Sequence, residues 1–156
     1  MILVTIPGRG PWRLEHLLLD VNGTLTIDGT LLPGVTERIA ALRAHLAMRL
    51  LSADTRGNAA HLAHRLELPL EVTSGRDEAA AKAAVARRLG AEQVVAIGNG
   101  AIDAPLLSVA RVGIAVVGPE GASTATLRSA DVVVTEVTDA LDLLLYKTRL
   151  VATLRR

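Results

Sequence analysis

The sequence predicts a three-layer α/β/α, Rossmann-like fold around a mostly parallel sheet, and three observations carry that expectation. Short apolar runs alternate with segments of helical periodicity, the pattern of strand–helix–strand units. Half of the 156 residues are hydrophobic, yet the chain has one Trp, one Tyr and no Phe. Its core must therefore be Leu, Val, Ile and Ala, the usual filling of a parallel sheet covered on both faces. Finally, several apolar runs end abruptly in polar groups, as they do at the carboxyl rim where open α/β sheets bind ligands. The length suits one domain, residues 1–156.

Taken in order, Met1 to Ile6 reads as a short strand closed by the turn Pro7-Gly8-Arg9-Gly10-Pro11. Leu17 to Asp20 is the first buried strand. Asn22-Gly23 follows it and is the strongest two-residue hairpin signal, so the stretch reads either as a hairpin or as a site-bearing strand end. Thr24 to Leu32 alternates around Asp28-Gly29 and predicts a hairpin placed as a flap over the rim. Pro33-Gly34 opens a helix from Val35 to about Ala47, with Val35, Ile39, Leu42 and Leu46 on one face. Met48 to Leu51 is the second strand and ends in Ser52-Ala53-Asp54-Thr55. Gly57 to Leu66 is helical, and Leu70 to Val72 is the third strand. Arg76 to Leu89 is an alanine-rich helix carrying Lys82 and closed by Gly90. The fourth strand, Val94 to Ile97, runs into Gly98-Asn99-Gly100-Ala101-Ile102-Asp103, and a short helix spans Asp103 to Ala110. Val112 to Val117 is a strand, Glu120 to Ser129 a helix and Val132 to Val134 a strand. Thr138 reads as the N-cap of a final amphipathic helix that continues through the basic tail, Tyr146 to Arg156. Nothing is left over for an inserted cap domain.

Composition excludes several function classes. Seventeen basic and sixteen acidic residues give no basic groove, and the scarcity of aromatics removes stacking platforms, so no nucleic-acid partner is expected. The absence of cysteine excludes disulfides, thiolate zinc sites and a cysteine nucleophile. No apolar run is long enough to span a bilayer, and the N-terminus lacks signal-peptide features, so a cytoplasmic protein without a membrane partner is expected. His61 and His64 lie one helical turn apart without a third ligand and read as a solvated face. Gly118-Pro119-Glu120-Gly121 reads as a turn leading into a helix. Gly98-x-Gly100 lacks the third glycine of a dinucleotide fingerprint.

The chemistry concentrates at strand ends: Asp20, Ser52 with Ala53, and Asn99 with Asp103, joined by Lys82 from the helix before the last of these. In a parallel sheet these ends gather on one edge. Carboxylates there hold Mg²⁺ through hard oxygens, and a lysine, a hydroxyl and backbone amides neutralise phosphoryl oxygens. Bland readings stand beside this one: Lys82 as a solvated helix lysine, Asp54 as a turn or cap residue.

With these stretches in place, the chain resembles the haloacid dehalogenase superfamily of phosphotransferases, whose motifs occur in the same order. It is most similar to the soluble proteins related to the phosphorylation domain of P-type ATPases, which carry D-K-T-G-T-L-T, T-G-D and G-D-G-x-N-D. The corresponding stretches are Asp20-Val21-Asn22-Gly23-Thr24-Leu25-Thr26, Ser52-Ala53-Asp54 and Gly98-Asn99-Gly100-Ala101-Ile102-Asp103. The resemblance implies that Asp20 is a nucleophile forming an aspartyl phosphate. It implies Mg²⁺ held by Asp20, the carbonyl of Asn22, Asn99 and Asp103, and a phosphoryl group bound by Asn22, Gly23, Ser52, Ala53 and Lys82. It further implies that Lys82 restrains Asp20. The implied activity is a Mg²⁺-dependent phosphohydrolase acting on a small phosphorylated metabolite or nucleotide. The alternative is a catalytically weak phospholigand-binding or regulatory module, and a third reading is a soluble modulator of a transporter.

Two departures matter. The resemblance places Asn22 where the superfamily's phosphatases carry an acid–base Asp, and an amide can neither protonate a leaving group nor later activate water. That help is worth about 100- to 10,000-fold, so slow turnover favouring good leaving groups is expected. Asn99 stands where a metal-binding Asp is usual, which lowers metal affinity, with Asp103 and Asp54 placed to compensate. Without a cap, a homo-oligomer is expected to help close the site, with Leu31 and Leu32 as contacts.

Overall fold

The computed structural model describes residues 1–53 and 57–156; the expectation placed on Asp54 lies outside them. β1 (Ile2–Ile6) and β2 (Gly10–Leu14) form an antiparallel ribbon. The central sheet consists of β3 (His16–Asp20), β6 (Ala47–Ser52), β7 (Leu70–Val72), β8 (Val94–Gly98), β9 (Val112–Val116) and β10 (Val132–Val134). Its order is β10-β9-β8-β3-β6-β7, and every pairing is parallel. Strand β3, which ends in Asp20, lies in the interior of this order.

Alternation along β3 decides what each residue faces. Leu17 and Leu19 join a core with Val35, Ile39 and Leu42 of α1 (Val35–Leu42) and Ala140, Leu141 and Leu144 of α6 (Val137–Leu145). That layer also takes Leu62 and Leu66 of α2 (Asn58–Leu66) and Leu150 and Leu154 of α7 (Lys147–Leu154). Leu18 points the other way, into a smaller core with Val85 and Ala86 of α3 (Glu78–Leu89) and Leu106 and Leu107 of α4 (Ala104–Val109). Asp20 has the parity of Leu18. The carboxylate therefore comes out on the α3–α4 side.

The flap hairpin is β4 (Thr26–Ile27) and β5 (Thr30–Leu31). Asp28 and Gly29 at its tip have φ of 49° and 79°, the double positive φ of a type I′ turn. Leu31 and Leu32 are half-buried against the chain's own core.

Several boundaries differ from the expectation, and some of the differences have a clear physical reason. Helix α1 ends at Leu42, not near Ala47, because Ala47 is taken by the sheet as the partner of His16. Helix α5 (Thr124–Ser129) starts at Thr124, not Glu120: Gly118 and Gly121 close a turn first, and Ser123 caps the helix. Helix α6 begins at Val137, whose side chain is buried, so Thr138 lies inside the helix and is not its N-cap. The tail is not a continuation of α6. The chain breaks at Tyr146 (φ −114°, ψ 70°), and α7 turns its buried Leu150 and Leu154 to the core. Strand β2 was not expected either; Pro11 and its short length hide it.

Candidate functional site

Asp20 is 7% exposed and touches a cation and a hydroxyl. Lys82 Nζ donates to Asp20 Oδ1 at 2.6 Å, and Thr24 Oγ1 donates to Asp20 Oδ2 at 2.8 Å. The same ammonium donates to Asp103 Oδ1 at 2.8 Å. Asp103 Oδ2 accepts from the backbone N–H groups of Asn99 and Gly100, both at 3.0 Å. Lys82 is 3% exposed and Asp103 1%, so the solvated-lysine reading is excluded.

Two carboxylates thus share one ammonium in a buried place. Burial raises the Asp20 pKa, Asp103 raises it further, and Lys82 and Thr24 only partly oppose this. The carboxyl is pushed up from 3.8 to about 6. Burial alone would lower Lys82, but Asp20 and Asp103 hold it above the ordinary lysine range. The site is short of positive charge.

Two glycines let these groups converge. A Cβ on Gly98 would lie 2.6 Å from the Asp103 carboxylate, and one on Gly23 would lie 2.6 Å from Asn99 Nδ2. Gly23 also has φ +78° and donates its N–H to the Thr26 carbonyl at 2.9 Å. Asn22-Gly23 is accordingly a tight bend at the strand end, and the hairpin tip lies farther on.

Of the residues singled out in the sequence, Asp20, Lys82 and Asp103 meet directly. Asn99 joins through Thr24, whose hydroxyl lies 3.2 Å from Asn99 Oδ1, while Asn99 Nδ2 donates to the Gly121 carbonyl at 3.1 Å. Ser52 is buried on the neighbouring strand, one residue beyond Leu51, the partner of Asp20. Ala53 follows it and is half-buried. Asn22 is exposed, and its side-chain amide makes no hydrogen bond to a described residue. His61 and His64 are exposed, as expected.

Sequence reasoning missed two groups. Thr24 was read only as part of a motif, although it holds the second oxygen of Asp20. Glu120 was read as a turn residue, but its carboxylate stands over Gly23, 3.1 Å from where a Cβ would be. No local sequence signal marks it, since the β9–α5 turn brings it there. A cavity of about 470 Å³ opens beside Gly23 and Thr24. Ile27 and Leu32 of the flap, Val117, Pro119 and Val137 wall it, and Glu136 is its one charged side chain among the described residues.

The donor set suits a hard divalent cation. Asp20, Asn99 Oδ1 and the Asn22 carbonyl are oxygen donors, and the buried cluster carries one more negative than positive charge. Asp103 is already engaged by Lys82 and two N–H groups, and the described residues contain no cluster of three acidic or histidine ligands. Any affinity therefore rests on few charges.

No family model matches the chain. Over 64 residues it is 52% identical to the uncharacterized protein MJ0073 of Methanocaldococcus jannaschii, covering 41% of this chain and 69% of that protein. Solved structures share the fold. A Streptomyces avermitilis protein bearing the name HAD family hydrolase has a TM-score of 0.68 and 23% identity, over 84% of this chain and 90% of that one. The 3-deoxy-D-manno-octulosonate 8-phosphate phosphatase of Moraxella catarrhalis, solved with magnesium, phosphate and KDO, has a TM-score of 0.68 at 18% identity, over 91% and 94%. A zinc-transporting PIB-type ATPase in its E2.Pi state has a TM-score of 0.65 at 26% identity, over 80% of this chain and 20% of that one.

Proposed function

We propose, for a chain that belongs to the family of MJ0073 and has the haloacid dehalogenase fold, that residues 1–156 act as one phosphohydrolase domain with Asp20 as nucleophile. The observation that carries this reading is the buried Asp20–Lys82–Asp103 cluster at the carboxyl end of β3. A carboxylate is a weak nucleophile unless it is oriented. Lys82 on Oδ1 and Thr24 on Oδ2 fix its plane and leave lone pairs free, since a carboxylate offers about four acceptor sites. Asp20 attacks phosphorus, the leaving-group oxygen departs, and water hydrolyses the aspartyl phosphate. Asp103 holds Lys82 in place, and Ser52, Ala53 and the Gly23 backbone face the phosphoryl group.

Mg²⁺ suits the oxygen donors of Asp20, Asn22 and Asn99, with Asp103, first expected among the ligands, occupied instead in holding Lys82, and when bound it would supply the positive charge the cluster lacks. The Moraxella phosphatase binds magnesium and phosphate on the same fold, which supports this choice.

Asn22 brings no acid, so leaving groups that depart unprotonated are favoured. The neighbouring cavity is mostly apolar and carries a carboxylate but no cation, which suits an uncharged leaving group. Aryl and acyl phosphates meet both conditions. The test is turnover of an aryl phosphate with Mg²⁺ by the parent and by Asp20→Asn. Turnover that disappears only in the variant supports the enzyme. A second reading, a regulatory phospholigand module, is favoured by Asn99, an uncharged amide whose nitrogen is spent on the Gly121 carbonyl. No turnover by either protein, with phosphate binding retained, selects that module.

A further inference from the structure

The two positions that carry an amide where the superfamily's phosphatases carry an acid are each followed by glycine. Asn22 precedes Gly23, and Asn99 precedes Gly100. In an asparagine–glycine pair no Cβ shields the backbone nitrogen, so it reaches the preceding side-chain carbonyl more readily than in other pairs. As sequences the two pairs are equally labile. The fold separates them.

Asn99 is held at its amide nitrogen and at the backbone nitrogen that would attack it, with its oxygen packed beside the Thr24 hydroxyl. Its Oδ1 lies 3.2 Å from the Thr24 hydroxyl, its Nδ2 donates to the Gly121 carbonyl at 3.1 Å, and the attacking nitrogen, Gly100 N, donates to buried Asp103 at 3.0 Å. Asn22 is exposed, and its amide bonds to no described residue. Only the Gly23 N–H is engaged there, by the Thr26 carbonyl across a short turn at the sheet rim. Nor can Gly23 be exchanged for a bulkier, less labile neighbour, because a Cβ would lie 2.6 Å from Asn99 Nδ2. The glycine that lets Asn99 approach is also the one that leaves Asn22 open to attack.

We propose that Asn22 is a site of spontaneous deamidation in the folded protein and that Asn99 is protected by the fold. Gly23 N, its proton lost to solvent, bonds to Asn22 Cγ; the Cγ–Nδ2 bond breaks and ammonia leaves. Water then opens the succinimide. Opening at the Cγ–N bond gives aspartate at position 22 with the backbone intact; opening at the other carbonyl gives isoaspartate and reroutes the chain through Cβ. The net change is one water taken up and one ammonia released, without oxidation. Resting on the function proposed above, the aspartate product restores a titratable acid two residues after Asp20, so an aged chain gains the proton donor that a fresh chain lacks.

The test is peptide mapping by mass spectrometry of the intact chain aged at mildly alkaline pH, native and in parallel in concentrated urea. In the native protein, conversion at Asn22 should exceed that at Asn99 by at least about tenfold, the factor that one or two net hydrogen bonds are worth. In urea the difference should vanish. Equal native rates, or a difference unchanged in urea, would overturn the proposal. Asn22→Gln should abolish conversion at this position. Turnover of a poor leaving group should rise with the aspartate fraction in the parent and stay flat in Asn22→Gln. If mapping finds the conversion but turnover never depends on Asp20, the phosphohydrolase reading fails and the modification site stands.

Discussion

At the scale of single residues, Asn22 and Gly23 divide the work of one bend. Asn22 exposes its amide, and Gly23 supplies a positive φ and the space that Asn99 occupies. Replacing Asn22 by Asp should speed the hydrolysis of phosphate monoesters, and a sugar phosphate more than an aryl phosphate. It should speed a sugar phosphate by up to about 100- to 10,000-fold, because only the poor leaving group needs a proton. Steady-state kinetics on both substrates checks this, and equal gains on the two would contradict the assigned role. Gly23→Ala carries two penalties, a strained φ and a displaced Asn99. It should destabilise the fold by about 1 kcal/mol or more in denaturant melts and weaken metal binding. Asp20, Lys82 and Asp103 were legible here because each lies in a motif of fixed order. Thr24 and Glu120 were not, since their roles depend on an oxygen and a glycine brought near by the turn.

At the scale of elements, helix α3 shows why burial is harder to read than periodicity. Its alanine-rich sequence gives two faces of similar polarity, so nothing local tells that Lys82 faces inward. The side chain is drawn in because the parity of β3 turns Asp20 toward that helix. Lys82→Met should therefore cost about 3–5 kcal/mol, the usual loss when one partner of a buried ion pair is removed. Chemical denaturation should find a larger loss at pH 8 than at pH 5, because protonating Asp20 relieves the orphaned charge. The β1–β2 ribbon escaped the sequence reading for a related reason. Trp12 is the clue, but its meaning comes from Arg9 and Arg111, 5.9 and 5.4 Å from its ring, and from the distant partner Asp131 of Arg9. The six sheet strands, by contrast, are short apolar runs closed by turns, which are local signals.

At the scale of the molecule, the site is set against the stability of the fold. Asp20 titrates near 6 when folded and near 3.8 as an ordinary carboxyl, so the folded chain binds this proton more tightly. The stability that follows is fully present below about pH 3.8 and is lost as pH rises through about 6, a loss on the order of 3 kcal/mol. Asp20→Asn has no such proton to lose. In metal-free buffer, its melting temperature relative to the parent should rise between pH 4 and pH 8. Adding Mg²⁺ should favour the parent over the variant, because a ligand that binds only the folded state stabilises it by mass action, and the variant lacks the carboxylate proposed to hold it. Thermal melts of both proteins at the two pH values, with chelator and with Mg²⁺, check each arm. A melting-temperature difference that does not change between pH 4 and pH 8 without metal would show that Lys82 and Thr24 already compensate the buried charge.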